Sequence, residues 1–374
     1  MDWNYIQPVE IIFGCGRIQE LEKLLKIYQR PLLVSDPVFR SNGLAKRIQE
    51  AAGIRDIYFG ISPNPDICEV DSCSQLIRKQ GIDCIIALGG GSSLDLAKAA
   101  SIAAEQIEEY FNGSMQVPKE HLPVIAVPTT AGTGSEVTCV SVLTDRRTGK
   151  KAPLVSDSFY PKTALIDPEL TISLPPDVTA SAGIDVLCHA VEGYWSRGHQ
   201  PVCDALAVSA AKTVFSWLPT AYREPENITA REKMAEASLI AGMAFTLPKT
   251  TAPHACSFPL TSRLGIPHGI ACGLTLDYFA RVNRIDPRTR ELAGLLGYPN
   301  ADAFADAVAE LKKNLHLRTD LRDMELSEKE IHELAALSRH PNMENNPVEI
   351  TEEILLDLYQ TLAVTAQKPA DGGK

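Results

Sequence analysis

Apolar residues in the first 170 or so positions gather in short, near-continuous runs. These are PLLVSD (31–36), RDIYFG (55–60), DCIIALGGG (83–91), PVIAVPTT (123–130) and TALIDP (163–168). They are rich in β-branched residues and close on Gly, Asp or Pro, as expected of parallel strands covered on both faces. Between them, LAKRIQEAAG (44–53), VDSCSQLIRKQG (70–81) and SLDLAKAASIAAE (93–105) repeat apolar positions at the helical period. Strand–helix alternation of this kind predicts an open, doubly wound α/β unit.

The pattern changes after LPPD (174–177). DVTASAGIDVLCHAVEGYWS, CDALAVSAAKTVFSWLPTAY, AREKMAEASLIAGMAF and ADAFADAVAELKKNL are long and helical, and no strand run of similar quality follows. The boundary is expected near Pro176, with an α/β domain over 1–176 and an all-α domain over 177–374. The closing KPADGGK reads as a frayed tail.

Size supports two cores, since 374 residues exceed what one usually serves. With 45% hydrophobic and 22% charged residues the chain is of ordinary globular composition. A formal net charge of −11 argues against nucleic acid as a partner, because such binding needs a basic face. No run is long and apolar enough for a membrane span, and the N-terminus lacks the charge and apolar pattern of a signal peptide. Nine scattered cysteines with no C-x-x-C pair fit reduced thiols in the cytoplasm.

GGGSSLDLAK (89–98) falls where a strand gives way to a helix. Glycines there admit an anion close to the backbone, and the helix start offers free N–H groups to a phosphate. The alternative is a tight turn with no ligand. Asp36 ends the first of the runs, where a carboxylate can accept from an adenosine ribose and would repel a 2′-phosphate, favouring NAD(H) over NADP(H). It could equally cap the next segment. PTTAGTGSE (128–136) is a second hydroxyl-rich turn, whose Thr129, Thr130 and Ser135 could touch phosphate or ribose, or only each other. The N-terminal domain is thus expected to bind a dinucleotide.

Asp185 and His189 stand four apart in a helical stretch and should share a face. His254 and His268 follow, fourteen residues apart, with Gly and Pro before the second suggesting a turn between helices. Three imidazoles and a carboxylate suit Fe(II) or Zn(II) with room for a substrate oxygen. Singly, each reads equally as a satisfied core or surface group. His121, His199, His316, His332 and His340 read as structural, with His199 and His340 as pocket candidates.

These motifs together resemble the iron-containing (group III) alcohol dehydrogenases, over about Ile11 to Tyr359. The carriers are Asp36, Asn64–Pro65, GGGS-x-x-D-x-A-K, P-T-T-x-x-T-G-S-E, G-x-D-x-x-x-H-A-x-E at 183–192, and two histidines ending in P-H-G at 254–269. The resemblance implies an α/β dinucleotide-binding domain, a helical domain and a metal in the cleft. It implies metal ligands Asp185, His189, His254 and His268, acting catalytically through the metal. It implies NAD contacts from Asp36, Asn64, Gly90, Gly91, Ser92, Asp95, Thr129, Thr130 and Lys151, with Leu174 on the nicotinamide side. Many relatives carry a further His four residues after the third ligand; here it is Phe258, so a proton donor is missing at that position. A homodimer or larger homo-oligomer is expected.

The segment 249–269, KTTAPHACSFPLTSRLGIPHG, is similar to the phosphonoacetaldehyde reductase (2-hydroxyethylphosphonate dehydrogenase) branch. The expected reaction is therefore reduction of a small, anionic aldehyde, phosphonoacetaldehyde, to its alcohol. Lys249, Thr251 and Arg263, with Thr250 and Ser262, are candidates to hold the anion; Lys249 and Arg263 could also be solvated charges. Competing expectations are a general short-chain alcohol dehydrogenase, a sulfoacetaldehyde reductase, a glycerol dehydrogenase or dehydroquinate-synthase-like enzyme, and a cofactor-binding pseudoenzyme.

Overall fold

The computed structural model describes residues 3–363; the KPADGGK tail lies outside them. Six parallel strands form one sheet: β1 (Glu10–Phe13), β2 (Pro31–Ser35), β3 (Asp56–Tyr58), β4 (Cys84–Gly89), β5 (Val124–Pro128) and β8 (Thr163–Ile166), in the order β1-β8-β5-β4-β2-β3. Two further strands, β6 (Val140–Asp145) and β7 (Lys150–Val155), make a separate antiparallel hairpin. The long helices of this half are α1 (Leu44–Ala52), α2 (Ile67–Gln80) and α3 (Gly91–Ala100).

The continuous apolar runs are explained by burial on both faces. Leu32, Val34, Ile85, Ala87, Val124 and Ala126 join one core with α2 and α3. Leu33, Ile86, Leu88, Ile125, Val127 and Leu165 join another with α1. All five expected strands are present. β1 and the hairpin were not expected from the pattern. β1 is short, partly exposed and at the sheet edge. In the hairpin β7 carries Lys150, Lys151 and Pro153 and is mostly half-buried, while β6 buries only every second residue, with Ser141 and Asp145 among them. The glycine turn therefore follows the fourth strand of the chain, and Asp36 follows the second.

The helical half comprises α4 (Pro176–Trp195), α5 (Pro201–Arg223), α6 (Ile228–Phe245), α7 (Ala252–Leu264), α8 (His268–Val282), and, further on, α9 (Ala301–Asn314), α10 (Glu328–Leu337) and α11 (Glu352–Ala363), with shorter helices between. Its centre is α4, which is apolar almost all round and buried from Gly183 to Trp195. A helix of that composition has to be wrapped by others, and α5, α6, α7 and α8 all pack on it. Among the described residues no helix is long and apolar enough to cross a membrane.

Candidate cofactor and metal site

Strand order sets the position of the first turn. From β2 the chain moves outward to β3, then returns to β4 and proceeds the other way to β5 and β8. Ligands of open α/β sheets bind in the crevice at such a reversal, beyond the carboxyl ends of the strands. Asp36 and Gly89 stand there side by side: Asp36 donates its backbone N–H to Leu88 O at 3.3 Å, and a Cβ on Gly89 would lie 3.5 Å from that of Asp36. Gly89 has φ +152°, and a Cβ there would collide with Ser93. Only glycine lets the chain pass so tightly from β4 into α3, whose start at Gly90–Gly91 leaves N–H groups for an anion.

The other expected contacts divide into two groups. Gly90 is packed against Thr130, and Thr129 N–H donates to Gly89 O at 3.0 Å, so the two turns are joined. Ser92 Oγ accepts from Asn64 N–H, and Asn64 sits in the left-handed region at φ 55°. Lys151, carried by the hairpin, donates to Asn64 Oδ1 at 2.7 Å. Asp36 uses Oδ1 to cap Val38 N–H at 2.9 Å; its other oxygen has no hydrogen bond among the described residues. Leu174 lies with Ala131, Thr179, Ala182 and Arg231 around a small cavity beside the second turn.

Asp95 and Ser135 are different, and here the structure corrects the expectation. Ser135 Oγ donates to Asp95 Oδ1 at 2.6 Å and accepts from Lys98 Nζ at 2.7 Å. Asp95 Oδ2 takes Val142 N–H at 2.9 Å. Lys98 Nζ, fully buried, also reaches Thr138 Oγ1 and Val140 O. Both side chains are thus spent on an internal brace between the turns and the hairpin. Burial pulls the Lys98 pKa down to about 8, against the opposing pull of Asp95.

The second turn also touches the helical half. A Cβ on Gly132 would lie 3.0 Å from that of Ala182 on α4, and one on Gly134 would meet Gly242 of α6. The second turn is therefore seated about one helical turn from Asp185.

Three elements bring the ligand candidates together. Asp185 and His189 project from one face of α4, His254 from the first turn of α7, and His268 opens α8. A Cβ on Gly269 would strike Ser181 O of α4, so glycine after His268 is what allows α8 to start against α4. Ligand atoms of Asp185, His254, His268 and Cys272 all lie within 4.8 Å of one another. His189 joins through His254, their Nε2 atoms facing at 3.0 Å, and Asp185 Oδ1 stands 3.6 Å from His254 Nε2.

Electrostatics agree with a cation at this point. Asp185 Oδ1 is buried with no hydrogen-bond partner. Burial raises the Asp185 pKa to about 6. It pushes His189 and His268 well below the usual imidazole range, keeping them neutral. His254 donates from Nδ1 to Glu192 Oε1 at 2.5 Å, which turns the Nε2 lone pair toward the cluster. Burial opposes charge on His254, but Glu192 and then Asp185 outweigh it and raise its pKa. An acceptor carboxylate and several neutral imidazoles in a dry pocket are a donor set that fits Fe(II) or Zn(II).

Several contributors were missed by sequence reading. Glu192 ends a quoted motif, yet its role needs the fold: it is fully buried and also accepts from Thr251 N–H at 2.6 Å and Thr251 Oγ1 at 3.0 Å. Phe245 stacks on His189 with centroids 4.1 Å apart. Cys272, four residues after His268, completes the cluster; burial pushes its pKa well up, so it stays a thiol beside the ligands.

Two substrate candidates fail on geometry. Thr251 is fully buried and its hydroxyl is spent on Glu192 and on Trp195 Nε1, at 2.9 Å. Arg263 is exposed in the last turn of α7. Nine residues after His254, it falls on the opposite side of the helix at about 100° per residue. Lys249 is exposed, immediately before α7, at φ 64°. Thr250 is buried and bonded to Asn342, and Ser262 is exposed.

Comparison with known proteins agrees in fold and extent. The family profile "iron-containing alcohol dehydrogenase" matches residues 8–168, and that of the C-terminal part of the Fe-containing alcohol dehydrogenase family matches 179–363. The NAD-dependent methanol dehydrogenase of Bacillus methanolicus is 33% identical, over 89% of this chain and 92% of its own. The sulfoacetaldehyde reductase of Bilophila wadsworthia is 32% identical, over 94% and 96%. The crystal structure of sulfoacetaldehyde reductase from Bifidobacterium kashiwanohense in complex with NAD+ superposes with a TM-score of 0.95 at 52% identity, covering 98% of this chain and 100% of that one.

Proposed function

The chain belongs to the iron-containing alcohol dehydrogenase family, and from that premise we propose that it reduces sulfoacetaldehyde to 2-hydroxyethanesulfonate with NADH. The observation that carries this is the 52% identity, over 98% of the chain, to a sulfoacetaldehyde reductase that binds NAD+. The glycine turn at the strand reversal, and the Asp185, His189, His254 and His268 cluster that the second turn approaches through α4, support this reading. When bound, the cation supplies Lewis acidity to the carbonyl oxygen and the nicotinamide supplies the hydride.

The chain's own residues then have definite tasks. The α3 start at Gly90–Gly91 offers N–H groups to the pyrophosphate. The free oxygen of Asp36 accepts from the adenosine ribose and selects against a 2′-phosphate. Glu192 holds His254 in one tautomer and orientation, and Phe245 holds the His189 ring flat. Lys151 brings a cation between Asn64 and the Asp185 side of the cleft. Phe258 offers no proton, so the alcohol takes its proton from water, a cofactor ribose hydroxyl or another side chain.

Phosphonoacetaldehyde is the second reading, favoured by the residue pattern of 249–269. It carries more negative charge than a sulfonate. With Arg263 on the far side of α7, a monoanion is easier to accommodate beside Asp185 and Glu192. NADH oxidation at equal concentrations of sulfoacetaldehyde, phosphonoacetaldehyde and propanal, with Fe(II) and with Zn(II), tests both. We expect sulfoacetaldehyde to lead propanal by about tenfold or more in kcat/KM. A lead for phosphonoacetaldehyde selects the second reading; parity with propanal rejects both.

A further inference from the structure

The short turn Pro341–Asn345 packs on α7, the helix that carries His254. Asn342 Nδ2 donates to Thr250 Oγ1 at 2.8 Å, and Asn345 Nδ2 to Thr250 O at 3.0 Å. Arg197 N–H donates to Asn345 O at 2.8 Å. The turn is thus fastened to the residue next to Thr251, which itself feeds Glu192. Its leading residue, His340, is half-buried and lies on the ring of Phe258, with centroids 4.7 Å apart and planes 35° apart. Phe258 is one helical turn beyond His254, on the same side of α7.

The ring nitrogens of His340 have unequal positions. Nδ1 accepts the N–H of Asn342 at 3.1 Å. The proton of the neutral ring is therefore on Nε2, which makes no hydrogen bond among the described residues. Burial lowers the pKa of this histidine, which keeps the ring a neutral donor. A half-buried donor fixed by its packing on Phe258 and by a backbone bond to Nδ1 is positioned to donate to an incoming acceptor.

We propose that His340 Nε2–H binds an oxygen of the anionic group at the far end of the substrate, and so sets the preference for a charged aldehyde. This rests on the anionic-aldehyde reading above. Side chains four apart on a helix have Cβ atoms about 5–6 Å apart, and the His340 ring centroid lies 4.7 Å from that of Phe258. His340 is thus linked to His254 by way of Phe258, a spacing that suits the distal group of a two-carbon substrate whose carbonyl is at the ligands. Nδ1 is occupied by Asn342 N–H, so the ring has only its Nε2–H to offer.

The test compares the holoenzyme with its H340A and H340Q variants on sulfoacetaldehyde and propanal, recording KM and kcat separately. Glutamine can place an N–H near the Nε2 position. An NADH fluorescence titration verifies that each variant is folded. In His340→Ala the KM for sulfoacetaldehyde should rise by about 10- to 100-fold, the range for a hydrogen bond to a charged group. The sulfoacetaldehyde-to-propanal ratio of kcat/KM should fall with it, and His340→Gln should restore most of that ratio. An unchanged ratio, or equal losses on both aldehydes, overturns the assignment of His340 while leaving the substrate reading intact. Wild-type enzyme with no preference for the charged aldehyde overturns the substrate reading, and this proposal with it.

Discussion

Glu192 shows what a residue can do without touching a ligand. It has no solvent exposure and takes hydrogen bonds from His254 Nδ1 and from the N–H and hydroxyl of Thr251. Removing the charge leaves the Nδ1 proton of His254 with a weaker acceptor and places an amide N–H against donors. Glu192→Gln is expected to weaken metal binding by about 10- to 100-fold, the usual effect of losing a carboxylate behind a ligating histidine. Competition against a chromogenic chelator reads this directly. At this scale the sequence was informative about which candidate side chains converge and silent about their supports. Asp185 and His189 were legible because four-residue spacing on a helix has one geometric meaning. Glu192, Phe245 and Cys272 act across elements distant in the chain, and no spacing encodes that. Arg263 misled for the converse reason: nearness to His254 in sequence hid a half-turn difference in helical phase.

The turn between β4 and α3 concentrates much of the cofactor argument in one element. Gly89 has a positive φ, and any side chain there would meet Ser93. Gly89→Ala should cost about 1–3 kcal/mol of backbone strain and displace the start of α3. NADH affinity, followed by fluorescence, is expected to fall by about tenfold or more. Wild-type affinity in that variant would disconnect the turn from the cofactor. The strands and helices around it were readable from the sequence, since two-sided burial gives continuous apolar runs and Gly53 and Gly81 end α1 and α2 in left-handed caps. α3 was read five residues too long, to 105, because SIAAE continues the apolar pattern; the structure ends it at Ala100. The hairpin is not legible in the apolar pattern because β6 buries only alternate residues and β7 opens on two lysines and contains Pro153. It nevertheless carries Lys151 into the cleft and supplies Val142 N–H to Asp95.

Across the whole molecule, the two ligand environments are built by different halves that share no proposed ligand, although the halves pack together through Val9, Val137, Ala164 and Ile166 against Ala235 and Leu239, and through Gly134 against Gly242. Stripping the metal with a chelator should therefore abolish aldehyde reduction and lower the melting temperature. NADH affinity should change by less than about threefold, since no cradle residue is a ligand; the expected stabilisation by metal follows from binding to the native state alone. Fluorescence titration and thermal unfolding before and after dialysis, then again with Fe(II) or Zn(II) restored, check this. A large loss of NADH affinity on chelation would mean that the apolar seam couples the two sites.

The proposed nucleotide-binding residues run from Asp36 to Leu174, and the proposed ligands from Asp185 to His268. The polypeptide finishes one set before it starts the other. A recombination event in the short stretch joining β8 to α4 could thus exchange one ancestral specificity and inherit the other whole. Cofactor choice and substrate choice can then be inherited as separate modules, with compatibility decided by the apolar seam of Val137, Ala164 and Ile166 against Ala235 and Leu239.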